Sequence, residues 1–275
     1  MPEGFEAVRA DRGTAVVRSS VRADLAELGV FDRERLAELR RSAEPVGSGR
    51  GGAVAAPLPT GGGRVIIRHC HRGGLLRGLA GDRHLLGARP IEELCVTEAA
   101  RAAGVPAPEP LAAIVWRRSI GYSGDLVVRE IPGATSLEDW LSAGPDAAQR
   151  RLVIGRLAEA FSRLVGASIC HPDLHAGNVL VQDGVDGGLR VYLIDFDRAK
   201  RVDGGLSARR RNVMLFRFNR ALVKRGLAPR PVTPLARMRF IRKLGIAPDA
   251  GARRKLFSDC AAHLRRHAWH YGRSR

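Results

Sequence analysis

Several features are absent from this chain of 275 residues. It has no run of about eighteen consecutive apolar residues, so we expect no membrane-spanning segment. Its first ten residues, MPEGFEAVRA, lack the basic and then apolar pattern of a secretion signal, which predicts a cytoplasmic location. Its four cysteines form no CxxC pair, which argues against a zinc site or a disulfide framework.

Lysine is also scarce, and the charge is unevenly placed. The only lysines are Lys200, Lys224, Lys243 and Lys255. Residues 200–275 hold 21 lysines and arginines against three acids, whereas cations and acids cancel in the rest of the chain, so this last quarter carries the whole net charge of +18. Such a surface attracts polyanions, which include nucleic acid, anionic lipid and acidic or phosphorylated sugars.

The charged C-terminal segment admits two interpretations. Residues 254–271 read as a helix with Leu256, Phe257, Cys260, Leu264 and Trp269 roughly on one side. That side could rest on an anionic membrane surface, or it could pack inside an ordinary final helix whose basic face is solvated. No nucleic-acid-binding motif accompanies the charge, so we expect no specific nucleic acid partner.

The order of the elements predicts an α+β chain of two lobes. Residues 1–131 read as a strand-rich N-terminal lobe, with a strand pair, a helical stretch over 22–41 and further strands. Residues 132–275 read as a helical C-terminal lobe that contains one small hairpin. We expect the boundary near the connector at 130–134.

The second lobe carries a pattern of acids and an amide. HPDLHAGNVL at 171–180 places Asp173 and Asn178 on a loop that enters a strand, and Asp195 ends the apolar strand of LIDFD. If these two strands pair, Asn178 and Asp195 meet at one end of a hairpin. Their oxygen atoms suit Mg²⁺, and Asp173 could accept a hydrogen bond from an attacking hydroxyl, as in kinases. The alternative is a loop whose acids merely cap turns.

The first lobe carries a pattern that would suit phosphate. Gly47, Gly49 and Gly52 form G-x-G-x-x-G, whose backbone N–H groups could close over phosphates. The following strand, 65–68, reads VIIR and corresponds to the kinase strand V-A-I-K, with Arg68 in place of lysine. Because no lysine precedes residue 200, the phosphate-binding cation of this lobe would be Arg68. The alternative is an arginine that only forms a salt bridge.

A cation at this strand should pair with a glutamate on the next helix. Glu92, Glu93 and Glu98 are all candidates. Neighbours on a helix point in different directions, so spacing alone leaves the three open.

These residues together resemble a known family. The chain is similar to the bacterial lipopolysaccharide kinases, and within them to the 3-deoxy-D-manno-octulosonic acid (Kdo) kinases. The segments that carry the resemblance are GRGG (49–52), VIIRHCHRGGLL (65–76), RPIEEL (89–94), PAPEPLAA (106–113), YSGDLVVREIPGA (122–134), HPDLHAGNVL (171–180) and LIDFDRA (193–199). RHCHRGG is the most specific of them, because this family has arginine where protein kinases have lysine.

The resemblance implies a protein-kinase-like bilobal fold. It also implies transfer of the γ-phosphate of ATP, with Mg²⁺, to a sugar hydroxyl of Kdo on a lipid A precursor, at the cytoplasmic face of the inner membrane. The residues carried over have nucleotide, metal or catalytic roles: Arg68 and the glycines for phosphates, Glu93 as the partner of Arg68, backbone near Glu130 and Ile131 for adenine, Asp173 as base, and Asn178 and Asp195 for the metal.

The chain departs from the family pattern in places, and its motifs also allow two other functions. The segment before Arg89 is shorter than usual, and Cys70 stands where a tyrosine is expected. Small-molecule kinases of the aminoglycoside type share the second-lobe motif, although they normally continue with a G-D-P…D-L-A stretch that this chain lacks. The other alternative is a non-catalytic, nucleotide-binding pseudokinase tethered by its basic C-terminal segment.

Overall fold

The structure is a computed structural model that describes residues 1–47, 52–70, 89–117, 121–184 and 188–271, with side chains in the last helix given as far as Arg266. The chain divides into two compact units. The first comprises residues 1–101 and 108–131, and the second comprises residues 102–107 and 132–275. The segment 102–107, which the sequence placed in the N-terminal lobe, therefore packs with the second unit.

An antiparallel sheet of seven described strands forms the first unit, in the order β1-β2-β6-β7-β5-β4-β3. The strands are β1 Phe5–Ala10, β2 Gly13–Arg18, β3 Glu44–Val46, β4 Ala53–Pro57, β5 Arg64–His69, β6 Pro110–Arg117 and β7 Tyr122–Arg129. Strand β5 lies between β4 and β7. As in any strand, its side chains alternate between the two faces of the sheet. Val65 and Ile67 are fully buried on one face, which leaves Arg68 on the other.

Three α-helices cover this sheet in the described part of the unit: α1 Arg22–Glu27, α2 Arg33–Ser42 and α3 Arg89–Ala102. The single helical stretch expected over 22–41 is divided in two. Gly29 has a left-handed backbone with φ of 81°, which ends α1, and Asp32 starts α2 by accepting hydrogen bonds from the backbone N–H groups of Glu34 and Arg35. Leu25 and Leu36 pack on the Ile67 face, and Leu94 of α3 packs on the other.

The second unit is mainly helical. Its described helices are α4 Leu137–Ser142, α5 Ala147–Gly166, α6 Ala208–Lys224, α7 Pro234–Leu244 and α8 Ala250–Tyr271. Its strands form one sheet of β8 Thr135–Ser136, β10 Val179–Asp183 and β11 Leu189–Leu193, and a short pair of β9 Ile169–Cys170 and β12 Lys200–Arg201. The long amphipathic helix predicted after residue 145 is α5, which Asp146 and Gln149 begin with a reciprocal capping box.

The last helix packs its apolar side into the second unit. Leu256 is buried, and Leu256, Phe257, Cys260 and Leu264 line a mostly apolar cavity of about 330 Å³ shared with α4, α5, α6 and α7. These side chains therefore face the second unit, as the interpretation of an ordinary packed final helix expects. In the described ranges, no helix has the length and apolar content needed to cross a bilayer.

Candidate active site

The hairpin predicted around the second-lobe motif is formed by β10 and β11. The strands are antiparallel and pair Val179 with Leu193. One residue beyond that pair, the N–H of Ile194 donates to the carbonyl oxygen of Asn178 at 3.0 Å. Asn178, directly before β10, and Asp195, two residues after β11, consequently lie at the same end of the hairpin.

The loop before this hairpin is closed by Asn178. The amide Nδ2 of Asn178 donates to the backbone oxygen of Asp173 at 2.9 Å, and Asn178 is buried whereas Asp173 is exposed. The short 3-10 helix Ala176–Asn178 begins at His175, whose Nδ1 accepts from the N–H of Gly177 at 3.1 Å. Local hydrogen bonds therefore fix the backbone of this loop, with the side chain of Asp173 exposed and that of Asn178 buried.

A buried histidine joins the loop to the end of β11. His171 is only 1% exposed, and its Nε2 donates to the carbonyl oxygen of Ile194 at 3.2 Å. Its ring also packs against Phe196, with ring centroids 5.0 Å apart. Burial lowers the pKa of His171, which favours the neutral ring. His171 is the first residue of the motif that contains Asp173, but the motif predicted roles only for Asp173 and Asn178.

Asp195 has an unusual backbone conformation. Its φ is 64°, in the left-handed region, where asparagine and aspartate are tolerated better than most other L-residues. Asp195 comes two residues after the end of β11, and its left-handed conformation turns the chain between Ile194 and Phe196. Such conformations concentrate at functional sites.

In the first unit, Arg68 pairs with a glutamate of α3. The Nη2 of Arg68 donates to Oε1 of Glu93 at 2.5 Å, and the side chain of Glu93 is 2% exposed while that of Arg68 is 28% exposed. The other two candidates behave differently, because Glu92 is exposed and Glu98 forms an ion pair with Arg18 at 2.7 Å. Helix packing thus selects one glutamate of three.

The glycine pattern lies between two paired strands. Val46 of β3 pairs with Ala53 of β4; Gly47 directly follows β3 and Gly52 directly precedes β4. Both glycines have positive φ, 73° and 58°, which a side chain at either position would strain. Gly49 lies outside the described residues, as does the segment of the RHCHRGG motif after Cys70.

The residues expected near adenine follow β7. The N–H of Glu130 donates to the carbonyl oxygen of Arg64 at 3.0 Å, and its carboxylate accepts from Nε of Arg64 at 3.0 Å. Ile131 is half-buried and is the last residue of the first unit. The backbone at this position is therefore anchored to the neighbouring strand β5.

Across the described ranges, three or more His, Cys, Asp or Glu side chains nowhere cluster in a way that could hold a metal ion. No disulfide joins any of the four cysteines, Cys70, Cys95, Cys170 and Cys260, all of which are described.

Comparisons with known proteins agree on one family. The model of the lipopolysaccharide kinase (Kdo/WaaP) family matches residues 38–238. A 3-deoxy-D-manno-octulosonic acid kinase of Xanthomonas oryzae pv. oryzae (strain PXO99A) is 34% identical over 210 residues, which cover 71% of this chain and 80% of the relative. The kinase of the same name from Haemophilus influenzae (strain ATCC 51907 / DSM 11121 / KW20 / Rd) is 32% identical over 162 residues, covering 56% of this chain and 66% of that protein.

A solved structure supports the same architecture. The structure described as WaaP in complex with acyl carrier protein matches with a TM-score of 0.54 and 20% identity. The match covers 82% of this chain and 91% of that one. At this identity the likeness establishes the fold and nothing about the partner.

Proposed function

Because this chain belongs to the lipopolysaccharide kinase (Kdo/WaaP) family and is a kinase, we propose that it transfers the γ-phosphate of ATP, with Mg²⁺, to a hydroxyl of Kdo on a lipid A precursor. The observation that carries the proposal is the hairpin end at which Asn178 and Asp195 meet, next to the loop of the exposed Asp173. A protein-kinase-like bilobal arrangement, with an N-terminal and a C-terminal lobe, is part of this proposal.

Asp173 is the proposed catalytic base. Its carboxylate is exposed, so an acceptor hydroxyl can reach it, and its backbone is held by the amide of Asn178. The acceptor oxygen forms a bond to the γ-phosphorus while the bond from that phosphorus to the leaving oxygen of ADP breaks. Asp173 orients the hydroxyl and takes up its proton.

Asn178 and Asp195 are the proposed ligands of Mg²⁺. Asn178 uses its amide nitrogen to hold the loop, which leaves its amide oxygen for a cation. An amide oxygen and a carboxylate fit Mg²⁺, which keeps several waters and binds few protein groups besides phosphates. When bound, the ion would neutralise charge on the phosphate oxygens of ATP.

Arg68 and the glycine turn are the proposed clamp for the phosphates, with Gly47, Gly49 and Gly52 supplying backbone N–H groups. Glu93 is buried and bonded to Arg68, so it fixes the direction of the guanidinium. A guanidinium has five N–H donors in a rigid, planar fork, a geometry that matches phosphate oxygens. The backbone of Glu130 and Ile131 is the proposed contact for adenine.

The basic C-terminal quarter supports peripheral binding to the cytoplasmic face of the inner membrane, which we also propose. The apolar side chains of α8 line a cavity within the second unit, so the attraction would be electrostatic. Co-sedimentation with anionic liposomes in low salt, lost in high salt, would support it. Equal binding to neutral and anionic liposomes would contradict it.

The experiment that tests the kinase proposal is mass spectrometry of a Kdo-bearing lipid A precursor after incubation with the protein, ATP and Mg²⁺. We expect the acceptor to gain one phosphate, and we expect no gain with Asp173→Ala. No gain with the wild-type protein would contradict the proposal. In that case, gain of phosphate on an aminoglycoside would favour the small-molecule kinase, and ATP binding without any transfer would favour the pseudokinase.

A further inference from the structure

Three cations lie beside the residues that lead into Asp173. The guanidinium Nη1 of Arg217 donates to the carbonyl oxygen of Pro172 at 3.1 Å. Lys200 of β12 is the strand partner of Cys170, the residue two positions before Pro172. Arg210 lies on α6 with Arg217, and we refer to Arg210, Arg217 and Lys200 as the loop-flanking cations.

Helix geometry brings Arg210 onto the same side as Arg217. Residues seven apart on an α-helix share a face and are separated by about 10 Å along the axis. The thiol of Cys170 responds to both arginines: burial raises its pKa, and the positive charges of Arg210 and Arg217 oppose that rise. Helix α6 also contacts β9 and the 3-10 helix Ala176–Asn178, so the face that carries both arginines lies on the side of the Asp173 loop.

Among the described residues, the loop-flanking cations form no ion pair. Within the part of the chain that the structure describes, no carboxylate forms an ion pair with Arg210, Arg217 or Lys200, and all three residues are exposed. Arg225 provides a contrast, because its guanidinium also lies near the loop, beside Gly177, but is paired with Glu138. Uncompensated cations beside an exposed base create a local positive potential that attracts an anion.

We infer that the loop-flanking cations form a subsite that binds an oxyanion of the acceptor, a carboxylate or a phosphate, and thereby hold its hydroxyl at Asp173. This inference rests on the proposed kinase function. The relatives are kinases of a sugar acid, and a carboxylate is ionised at neutral pH. The planar fork of an arginine matches the two oxygens of such a group.

The proposed subsite has a distinct kinetic signature. Contacts to a non-reacting group bind the acceptor and align its hydroxyl, so their loss raises KM for the acceptor and leaves KM for ATP unchanged. A purely structural role of Arg217, through its bond to Pro172, would instead reduce transfer to every acceptor by the same factor.

The test compares three acceptors: the Kdo-bearing precursor, its carboxyl-reduced analogue and its dephosphorylated analogue. For the wild-type kinase we expect kcat/KM to fall about 10- to 100-fold for the analogue that lacks the bound oxyanion. In Arg210→Ala and Arg217→Ala we expect most of that discrimination to disappear, because the parent acceptor becomes as poor as the analogue. Arg239→Ala on α7 is the control, since it removes another exposed arginine and should keep the discrimination.

Each outcome decides the inference. Discrimination against the reduced analogue identifies a carboxylate as the bound group, and discrimination against the dephosphorylated analogue identifies a phosphate. Equal losses for all acceptors in both arginine variants would overturn the subsite. Arg217→Lys, which keeps a positive charge and a donor, should restore part of the discrimination if Arg217→Ala folds poorly. Failure of the proposed function appears separately, as no transfer by the wild-type kinase to any of the three.

Discussion

Arg68 donates a hydrogen bond of 2.5 Å to Glu93, and the two partners differ sharply in exposure. The glutamate side chain is 2% exposed and the arginine is 28% exposed. Removing the arginine would leave a carboxylate without this cation in the interior, whereas removing the glutamate would leave a cation with access to solvent. The pair therefore has a buried acid and a more accessible cation, which is the arrangement that the proposed phosphate clamp requires.

Arg68→Ala is expected to weaken both nucleotide binding and folding. Loss of a partner from a buried ion pair costs about 3 kcal/mol or more, because the remaining buried charge loses the attraction of that partner. Calorimetric titration with ATP and urea unfolding measure the two effects. Arg68→Lys retains the charge but not the fork, so it should keep more affinity than Arg68→Ala. Unchanged ATP affinity in Arg68→Ala would remove Arg68 from the phosphate site.

Asp195→Asn separates the charge of Asp195 from its backbone conformation. Asparagine also tolerates the left-handed region, so the turn at φ of 64° should survive and the fold should be unchanged. We expect transfer to fall by about 100-fold or more, because the carboxylate proposed to hold the metal is lost. Rates measured over a Mg²⁺ titration test this, and Asp183→Asn, at an exposed strand end, is the control. A variant as active as the wild type would end the metal assignment.

Asp125→Ala should be among the most destabilising substitutions in the first unit. Asp125 is 1% exposed and accepts hydrogen bonds from Trp116 Nε1 at 2.5 Å, from His69 Nδ1 at 2.7 Å and from Arg40. Burial pushes its pKa upward, but the hydrogen bond from His69 and the charge of Arg40 outweigh burial and lower the pKa. We expect a loss of about 3–5 kcal/mol in the free energy of unfolding.

Urea unfolding measures the effect of Asp125→Ala. Asp125→Asn keeps an acceptor oxygen and should cost less, and Asp11→Ala, at an exposed position, should cost little. A loss for Asp125→Ala no larger than that for Asp11→Ala would show that the three hydrogen bonds contribute nothing net to stability.

His171 should make the stability of the fold depend on pH. Burial lowers its pKa below the ordinary value of 6.5, and its Nδ1 has no hydrogen-bond partner among the described residues to stabilise a charged ring. The unfolded chain therefore binds a proton as the pH falls through about 6.5, while the folded chain does not until a lower pH. The stability contributed by neutral His171 is complete above pH 6.5 and is lost as the pH falls toward the folded pKa.

Urea midpoints at pH 7.5, 6.5 and 5.5 measure this dependence. In His171→Gln the free energy of unfolding should depend less on pH, by about 1.4 kcal/mol per pH unit at most. An identical slope in wild type and His171→Gln would contradict the prediction.

Local patterns in the sequence determined much of the architecture. The hairpin of β10 and β11, strand β5 and helix α5 could all be predicted, because alternation, helical periodicity and caps are properties of neighbouring residues. The meeting of Asn178 and Asp195 followed from the same hairpin, since pairing two strands with a short connection sets which ends coincide.

Tertiary structure decided the rest, because it depends on contacts between residues that are distant in the chain. Three glutamates of α3 were equivalent by spacing, and packing of the helix on the sheet selected Glu93 for Arg68. Packing also turned the apolar side of α8 into the wall of a cavity. The bond from Arg217 to Pro172 joins residues 45 positions apart, and no local pattern could indicate it. Sequence thus determined the elements and the chemical groups at the site, whereas folding determined which groups face one another.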